Sequence, residues 1–339
     1  MFGLIKYIWC KNMSIDICLA TYNGALYLPE LVESIRRQSC QIWHVLFSDD
    51  GSTDGTPSLI NAYCQGDPDR FSNISSKEPH HSSTKNFLYA LTKTKSQYVM
   101  LCDQDDVWLP FKVEKTMAKM RELEESLGAD IPLLVFTDSS VVDADLNLIH
   151  PSFVSGLSFR ARTCSFSQLL VSNVVQGCTI MINRAAVNLV NKHPIPSSFS
   201  YHDHWIASLV RTFGQIYFLD ESTLLYRQHA NNVVGADERL SLQYKVKRGF
   251  KKMFSGHAFH DAGEQELMFA KRAADILDLG LPGDDERNRI LRDLTSFPAL
   301  GPIKRLTFIR RYRLLRDVDL YGKVTQLVVL LFGDRRSLE

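Results

Sequence analysis

The chain contains no CxxC pair, and its seven cysteines (Cys10, Cys18, Cys40, Cys64, Cys102, Cys164 and Cys178) are odd in number and scattered. That spacing offers neither a disulfide framework nor a zinc site and reads as the reduced thiols of a cytosolic protein. An excess of one charge is also missing. With 39 Lys and Arg against 38 Asp and Glu, the balance argues against a dedicated nucleic-acid binder, while local basic patches stay open. Long apolar runs are absent as well: the longest, LVVLLFG at 327–333, falls far short of the ~20 residues that span a bilayer. The opening MFGLIKYIWC is interrupted by Lys6 and followed by no small-residue cleavage pattern, so it makes a poor signal peptide, and Met13 is an alternative start. Repeats and low-complexity segments are missing too. The 339 residues, 45% hydrophobic and 23% charged, suffice for one large domain or two modest ones.

What is present is an alternation. From residue 14 to 140 the β-rich runs SIDICLA, WHVLFSD and YVMLCD interleave with the helical patterns YLPELVESIRRQ, TPSLINAYC and STKNFLYALTKT. This predicts an α/β fold with a mostly parallel sheet flanked by helices, whose ligands bind at the carboxyl ends of the strands. The loops there read TYNG (21–24), DDGSTDGT (49–56) and DQDD (103–106), and together they make an acidic, hydroxyl-rich cleft. PLLVFTDSSVVD from 132 predicts a further strand, GCTIMINRAAV from 177 a strand then a helix, and SYHDHWIASLVRTFG (200–214) a helix. QIYFLDESTLLYRQH (215–229) reads as two short strands. Beyond about 236 the pattern is helical, with an amphipathic helix ending at Gly280 and two more within 302–332. Residues 239–254 carry six Lys or Arg and no acidic residue, which suits either an anionic lipid surface or a solvated helix face.

Three aspartates within 103–106 need a reason. In an extended segment Asp103 and Asp105 face one side while Gln104 and Asp106 turn away. Two carboxylates on one side are costly unless a cation lies between them, and Mg²⁺ or Mn²⁺ commonly bridges carboxylates to a substrate's phosphates. The competing reading makes them a helix start, with Asp106 as cap and Pro110 close behind.

The ordered motifs ICLATYNGALYLPELVESIRRQS, VLFSDDGSTDGT and YVMLCDQDDVWLPFKVEK resemble a family 2 glycosyltransferase of GT-A fold. YHDHW and LLYRQHANNVVGA resemble its rhamnosyltransferase-like members, which build bacterial surface polysaccharides such as O-antigen. The resemblance covers residues 14 to about 236. It implies an N-terminal extension (1–13), a GT-A domain (14–236) and a helical C-terminal region (237–339) as a candidate membrane-surface or acceptor contact. It further implies inverting, metal-dependent transfer from a dTDP- or UDP-linked sugar to a saccharide or lipid-linked acceptor, in the cytoplasm or peripherally on the inner membrane face, without nucleic acid.

On this resemblance Asp103, Asp105 and His229 hold Mg²⁺ or Mn²⁺, and Asp103 and Gln104 also face the donor. Asp50, with Asp49 as alternate, reads the base, since a carboxylate accepts from a uracil or thymine imide N–H. Thr21, Tyr22 and Asn23 line base and ribose, the alternative being an ordinary turn around Gly24. Lys85 and Asn86 reach the diphosphate or simply open a helix, and Arg227 reaches it too, the alternative for Arg227 as for His229 being a solvated or core-pairing role. Asp203 is the general base, the preceding acidic residue of the family pattern being His202 here; otherwise Asp203 caps its helix. His202, His204 and Trp205 face the acceptor, and Trp108 either walls the donor sugar or packs in the core. Two other readings remain at this point. DQDDV fits the DxDx[TV] motif of haloacid-dehalogenase-type phosphatases, although that motif is expected on the first strand. The histidine at 202 also allows a catalytically degenerate nucleotide-sugar or polysaccharide binding module.

Overall fold

The computed structural model describes residues 14–157, 161–229, 256–280 and 286–316, with 323, 326–328, 330 and 331. The N-terminal extension, the boundary near 236 and the basic stretch 239–254 lie outside the described residues. Two compact units form. One comprises the chain through Phe153 with Val175–Pro194 and Tyr201–His229, the other Val154–Val174, Ile195–Ser200 and the residues from Ala230 onward.

In chain order the elements are β1 (Ile15–Thr21), α1 (Leu28–Arg36), β2 (Trp43–Asp49), α2 (Thr56–Gly66), β3 (Phe71–Asn73), α3 (Ser83–Lys93), β4 (Tyr98–Asp103) and β5 (Val107–Trp108). There follow α4 (Lys112–Leu127), β6 (Leu133–Val142), β7 (Leu148–His150), α5 (Phe166–Val171), β8 (Met181–Asn183), α6 (Arg184–Lys192), α7 (His202–Phe213) and β9 (Gln215–Arg227). The last three helices are α8 (Gly256–Leu277), α9 (Glu286–Ser296) and α10 (Pro302–Tyr312).

The first unit is a mixed sheet of order β3-β2-β1-β4-β8-β6-β9-β5, with β7 paired to β6. Strands β3, β2, β1 and β4 are parallel, as are β6 and β9, whereas β8, β5 and β7 pair antiparallel. The parallel half forms as the sequence predicts. Its strands are largely apolar because helices cover both faces, and Ile15, Ile17, Val45, Phe47, Met100 and Leu101 are all fully buried. Helix α1 shows the complementary logic: Leu28, Leu31, Val32 and Ile35 recur at helical spacing and are buried, Pro29 stands at the start and Glu30 in the first turn, both suited to a helix N-terminus.

Residues 215–229 do not form two strands. β9 is a single strand of 13 residues, and its register with β6 shifts between Leu219 opposite Thr137 and Ser222 opposite Asp138. The polar DES triplet marks a bulge within a continuous strand.

In the second unit Phe269 and Phe297 meet edge to face with centroids 5.2 Å apart, and Ser167 Oγ donates to the Tyr312 carbonyl over 3.0 Å. Arg272 Nε donates to the Ser198 carbonyl over 2.9 Å, and its Nη1 to the Leu170 carbonyl over 2.8 Å. Among the described residues no helix is long and apolar enough to cross a membrane.

Candidate active site

The strand order reverses at β1: the chain runs β1, β2, β3 in one direction and returns to place β4 on the other side of β1. Such a switch point leaves a crevice at the carboxyl ends of the two central strands. The loops that flank it here are 21–27 and 103–106. They are tied by one side chain: Gln104 Oε1 accepts from the Tyr22 amide over 2.8 Å, and its Nε2 donates to the Tyr22 carbonyl over 2.9 Å. Gly24 makes room for this, since a Cβ there would lie 2.1 Å from Gln104 Oε1.

Around that tie the hydroxyl-rich loops lock together. Thr21 Oγ1 and Ser52 Oγ donate to Asp49 Oδ1 over 2.8 and 2.6 Å. Asn23, at φ 50°, donates its amide to Ser52 Oγ over 2.8 Å and accepts from the Thr53 amide over 2.8 Å. Tyr22 leaves its ring exposed. Asp50 is buried and accepts from the His80, His81 and Ser82 amides, so it fastens the loop that opens α3. Asn86 is also buried and clamps Ser48, accepting from its hydroxyl over 2.6 Å and donating to its carbonyl over 2.7 Å. Lys85, in the first turn of α3, is exposed.

The acidic loop differs from the extended segment expected of it. Residues 104 and 105 form a turn, so Asp106 does not face away: ligand atoms of Asp103, Asp106 and Cys178 lie within 4.8 Å of one another. Nor does Asp106 cap a helix. The N-cap of α4 is Phe111, and Asp106 Oδ1 instead accepts from the Arg227 amide over 3.3 Å. Asp105 points to a different partner, its Oδ2 lying 2.8 Å from His229 Nε2.

Charge is concentrated here. Burial, then the neighbouring charges of Asp105 and Asp203, push Asp103 up to about 7. Burial, then Asp105 and Asp103, raise Asp106 well above the usual carboxylate range. Burial and the two carboxylates Asp106 and Asp103 likewise keep the Cys178 thiol protonated. A buried cation lies below: Lys112 Nζ donates to the Cys178 carbonyl over 2.9 Å, sits 4.7 Å from the Trp108 ring centroid, and is brought down to about 8 by burial. Trp108 itself is 2% exposed and packs in the core.

Arg227 is buried too. Its Nε donates to the Asp105 carbonyl over 2.9 Å, its Nη1 to the Ala144 carbonyl and its Nη2 to Glu30. Its guanidinium carbon stands 4.6 Å from the Tyr27 ring centroid, and Tyr27 stacks on His229 at 4.9 Å. The guanidinium therefore fastens β9 to the acidic loop and to α1.

Asp203 lies in the first turn of α7, behind the N-cap Tyr201, and its Oδ1 accepts from the His204 amide over 2.6 Å. It is not the cap of that helix. His202 is stacked on Phe87 with centroids 4.2 Å apart, and neither ring nitrogen has a partner among the described residues. Burial brings it down to about 3. His204 is buried, and Trp205 is fully buried with its indole N–H on the His193 carbonyl at 3.2 Å.

The structure thus brings together Asp103, Asp105, Asp203 and His229 as electrostatic or hydrogen-bonded neighbours. Pattern reading missed Lys112, Cys178, Tyr27 and Glu30, which enter the cluster from distant parts of the chain. The donor set fits a hard divalent cation: carboxylate oxygens dominate, Asp106 Oδ2 is buried without a nitrogen or oxygen partner among the described residues, and one imidazole faces Asp105. The protonated thiol makes the inner Asp103, Asp106 and Cys178 trio the poorer match.

A family model described as glycosyl transferase family 2 matches residues 16–187. The chain belongs to that family. This glycosyltransferase is 27% identical over 237 residues to the dTDP-rhamnosyl transferase RfbG of Shigella flexneri, covering 67% of this chain and 77% of that protein. It is 24% identical over 221 residues to the putative teichuronic acid biosynthesis glycosyltransferase TuaG of Bacillus subtilis, covering 65% of this chain and 81% of the relative. Among solved structures, S. aureus TarS 1–349 in complex with UDP matches with a TM-score of 0.51 at 15% identity, over 94% of this chain and 90% of that one. The glycosyltransferase fold is GT-A, and its DQDD stretch closes β4 rather than the first strand, which removes the phosphatase arrangement.

Proposed function

We propose that this family 2 glycosyltransferase is an inverting, divalent-cation-dependent enzyme. In this reading it moves rhamnose or a similar sugar from a dTDP- or UDP-linked donor to a hydroxyl of a growing surface polysaccharide or lipid-linked oligosaccharide. The observation that carries the proposal is the acid cluster at the switch point, where Asp103 feels both Asp105 and Asp203 and Asp105 meets His229 at 2.8 Å. The dTDP-rhamnosyl transfer ascribed to the Shigella relative, the UDP bound by TarS and the putative role of the Bacillus relative in teichuronic acid biosynthesis support a nucleoside diphosphate donor and a polysaccharide product.

Asp103, Asp105 and His229 would hold Mg²⁺ or Mn²⁺, which when bound would supply positive charge to stabilise the departing diphosphate. Asp203 takes the acceptor hydroxyl's proton as that oxygen bonds the anomeric carbon; the bond to the diphosphate breaks on the opposite face, and its electron pair leaves with the phosphate oxygen. Thr21, Tyr22, Asn23 and Gln104 line base and ribose. Of the two aspartates after β2, Asp49 takes the base imide, because it is part-exposed whereas Asp50 is buried under three amides. Lys85 attracts the diphosphate from the start of α3. Asn86 and Arg227, both buried, act by holding the loops that do so. His202, His204 and Trp205 shape the acceptor side. A lipid-linked acceptor places the reaction at the cytoplasmic face of a membrane.

The test is a thermal-shift panel of dTDP, UDP, GDP and CDP with and without Mn²⁺, on wild type and Asp105→Ala. The expected result is stabilisation by dTDP or UDP that requires both the cation and Asp105. Sugar transfer measured with the matching donor is expected to fall by about 10² or more in Asp203→Asn while donor binding persists. Indifference to every nucleotide would sink the donor-site reading, and unchanged turnover in Asp203→Asn would remove the base assignment.

A further inference from the structure

We infer that the outward face of α10 is a docking surface for an anionic lipid bilayer. The helix buries Arg305, Ile309 and Tyr312 on one side. At 3.6 residues per turn, Ile303, Lys304, Thr307, Arg310 and Arg311 share the opposite side, and all five are exposed. From Gly301 to Arg316 the chain carries six basic residues and no acidic one. Arg311 has Asp293 at 4.0 Å, a loose contact at the surface; no ion pair of Lys304 or Arg310 occurs among the described residues.

Helix stability explains part of this face and leaves a remainder. Arg310 and Arg311 stand in the last turn, where cations complement the helix dipole. Lys304 stands in the first turn, where a cation opposes that dipole, and the same turn holds no acidic residue. Ile303 beside it is 85% exposed, so its side chain gains nothing from the core. A cation and an aliphatic side chain placed together at one helix end, against local preference, suit an interface at which phosphate headgroups meet acyl chains. A polyanion in solution would use the cations and leave Ile303 without a role. The near balance of 39 basic and 38 acidic residues over the whole chain makes this face a local device rather than a general affinity for anions. Its purpose rests on the proposed lipid-linked acceptor, but vesicle binding is read without turnover.

The experiment is flotation of the full chain with vesicles of phosphatidylcholine alone or with about 30% phosphatidylglycerol, at about 0.05 and 0.5 M NaCl. Binding is expected to the anionic vesicles at low salt, weakened about tenfold in K304E/R310E and measurably in I303D. Both variants are expected to keep the wild-type melting temperature and nucleotide stabilisation, since the changed side chains are exposed. Failure of wild type to bind, equal binding to neutral vesicles, or undiminished binding by K304E/R310E would overturn the assignment. Equal dependence on Lys304 and Arg310 for a short DNA duplex, with I303D unaffected on vesicles, would overturn it in favour of a general polyanion site. Loss of nucleotide stabilisation in wild type, read on the same preparation, would count against the donor site alone.

Discussion

His202 sits where an acidic residue would give Asp203 a second negative neighbour. Its ring is stacked on Phe87 and buried, and burial holds it neutral down to about pH 3. In the unfolded chain a histidine titrates near 6.5. Between those values the unfolded state binds a proton that the folded state does not, so stability is complete above about pH 6.5 and falls as pH drops, by about 1.4 kcal/mol per unit. His202→Phe keeps an aromatic ring against Phe87 and removes the titration. Urea unfolding at pH 7 and at about pH 4.5 should therefore show wild type losing about 2–3 kcal/mol more than the variant; parallel losses would mean that His202 is solvated in the folded protein. The same scale shows the limit of pattern reading. Asp103, Asp105 and His229 stand in motifs short enough to recognise, whereas the Lys112 ammonium reaches the carbonyl of Cys178, 66 residues away in sequence, and Tyr27 reaches His229 across the fold. Nothing local marks a lysine or a tyrosine for such a partner, because the contact exists only once strands from both ends of the unit are in place.

Among the elements, those legible in the sequence are those whose pattern is set by burial alone. Strands β1, β2 and β4 are largely apolar runs because both faces are covered, and α1 shows helical spacing because one side is. The elements that depart from the sequence pattern are set by partners. The continuity of β9 through its polar triplet depends on the ten-residue β6 beside it, and the turn at 104–105 depends on loop 21–27, to which Gln104 is bonded. The junction before β9 carries a further constraint. At Gly214 a Cβ would lie 1.8 Å from the Pro132 carbonyl oxygen, and that oxygen accepts the Gln215 amide over 3.0 Å. Backbone cannot swing aside as a side-chain end can, so β6 and β9 must separate at their first pair. Gly214→Ala is expected to cost about 2–4 kcal/mol in urea unfolding. A cost under about 0.5 kcal/mol, the range of neutral surface substitutions, would show that the junction relaxes freely.

At the scale of the whole molecule, two opposed proton linkages meet in one site. His202 makes stability fall as pH drops, whereas Asp103 and Asp106 do the reverse. Their folded values are raised, Asp103 to about 7, while in the unfolded chain a carboxyl ionises near 3.9. Between about 3.9 and 7 the folded state therefore holds protons that the unfolded state has released, and their contribution to stability is lost as pH rises through that window. On the proposed function a divalent cation would turn this around, because it would bind the ionised form of Asp103 and compete with its proton. Mn²⁺ is accordingly expected to raise the melting temperature more at pH 8 than at pH 6, and to release protons on binding. The release is measured by titration calorimetry at pH 6.5 in two buffers of different ionisation enthalpy, with Asp105→Ala as the control that binds weakly. Equal stabilisation at the two pH values with no buffer dependence would mean that the cation does not enter the acid loop, and that Asp103 keeps its proton for some other task.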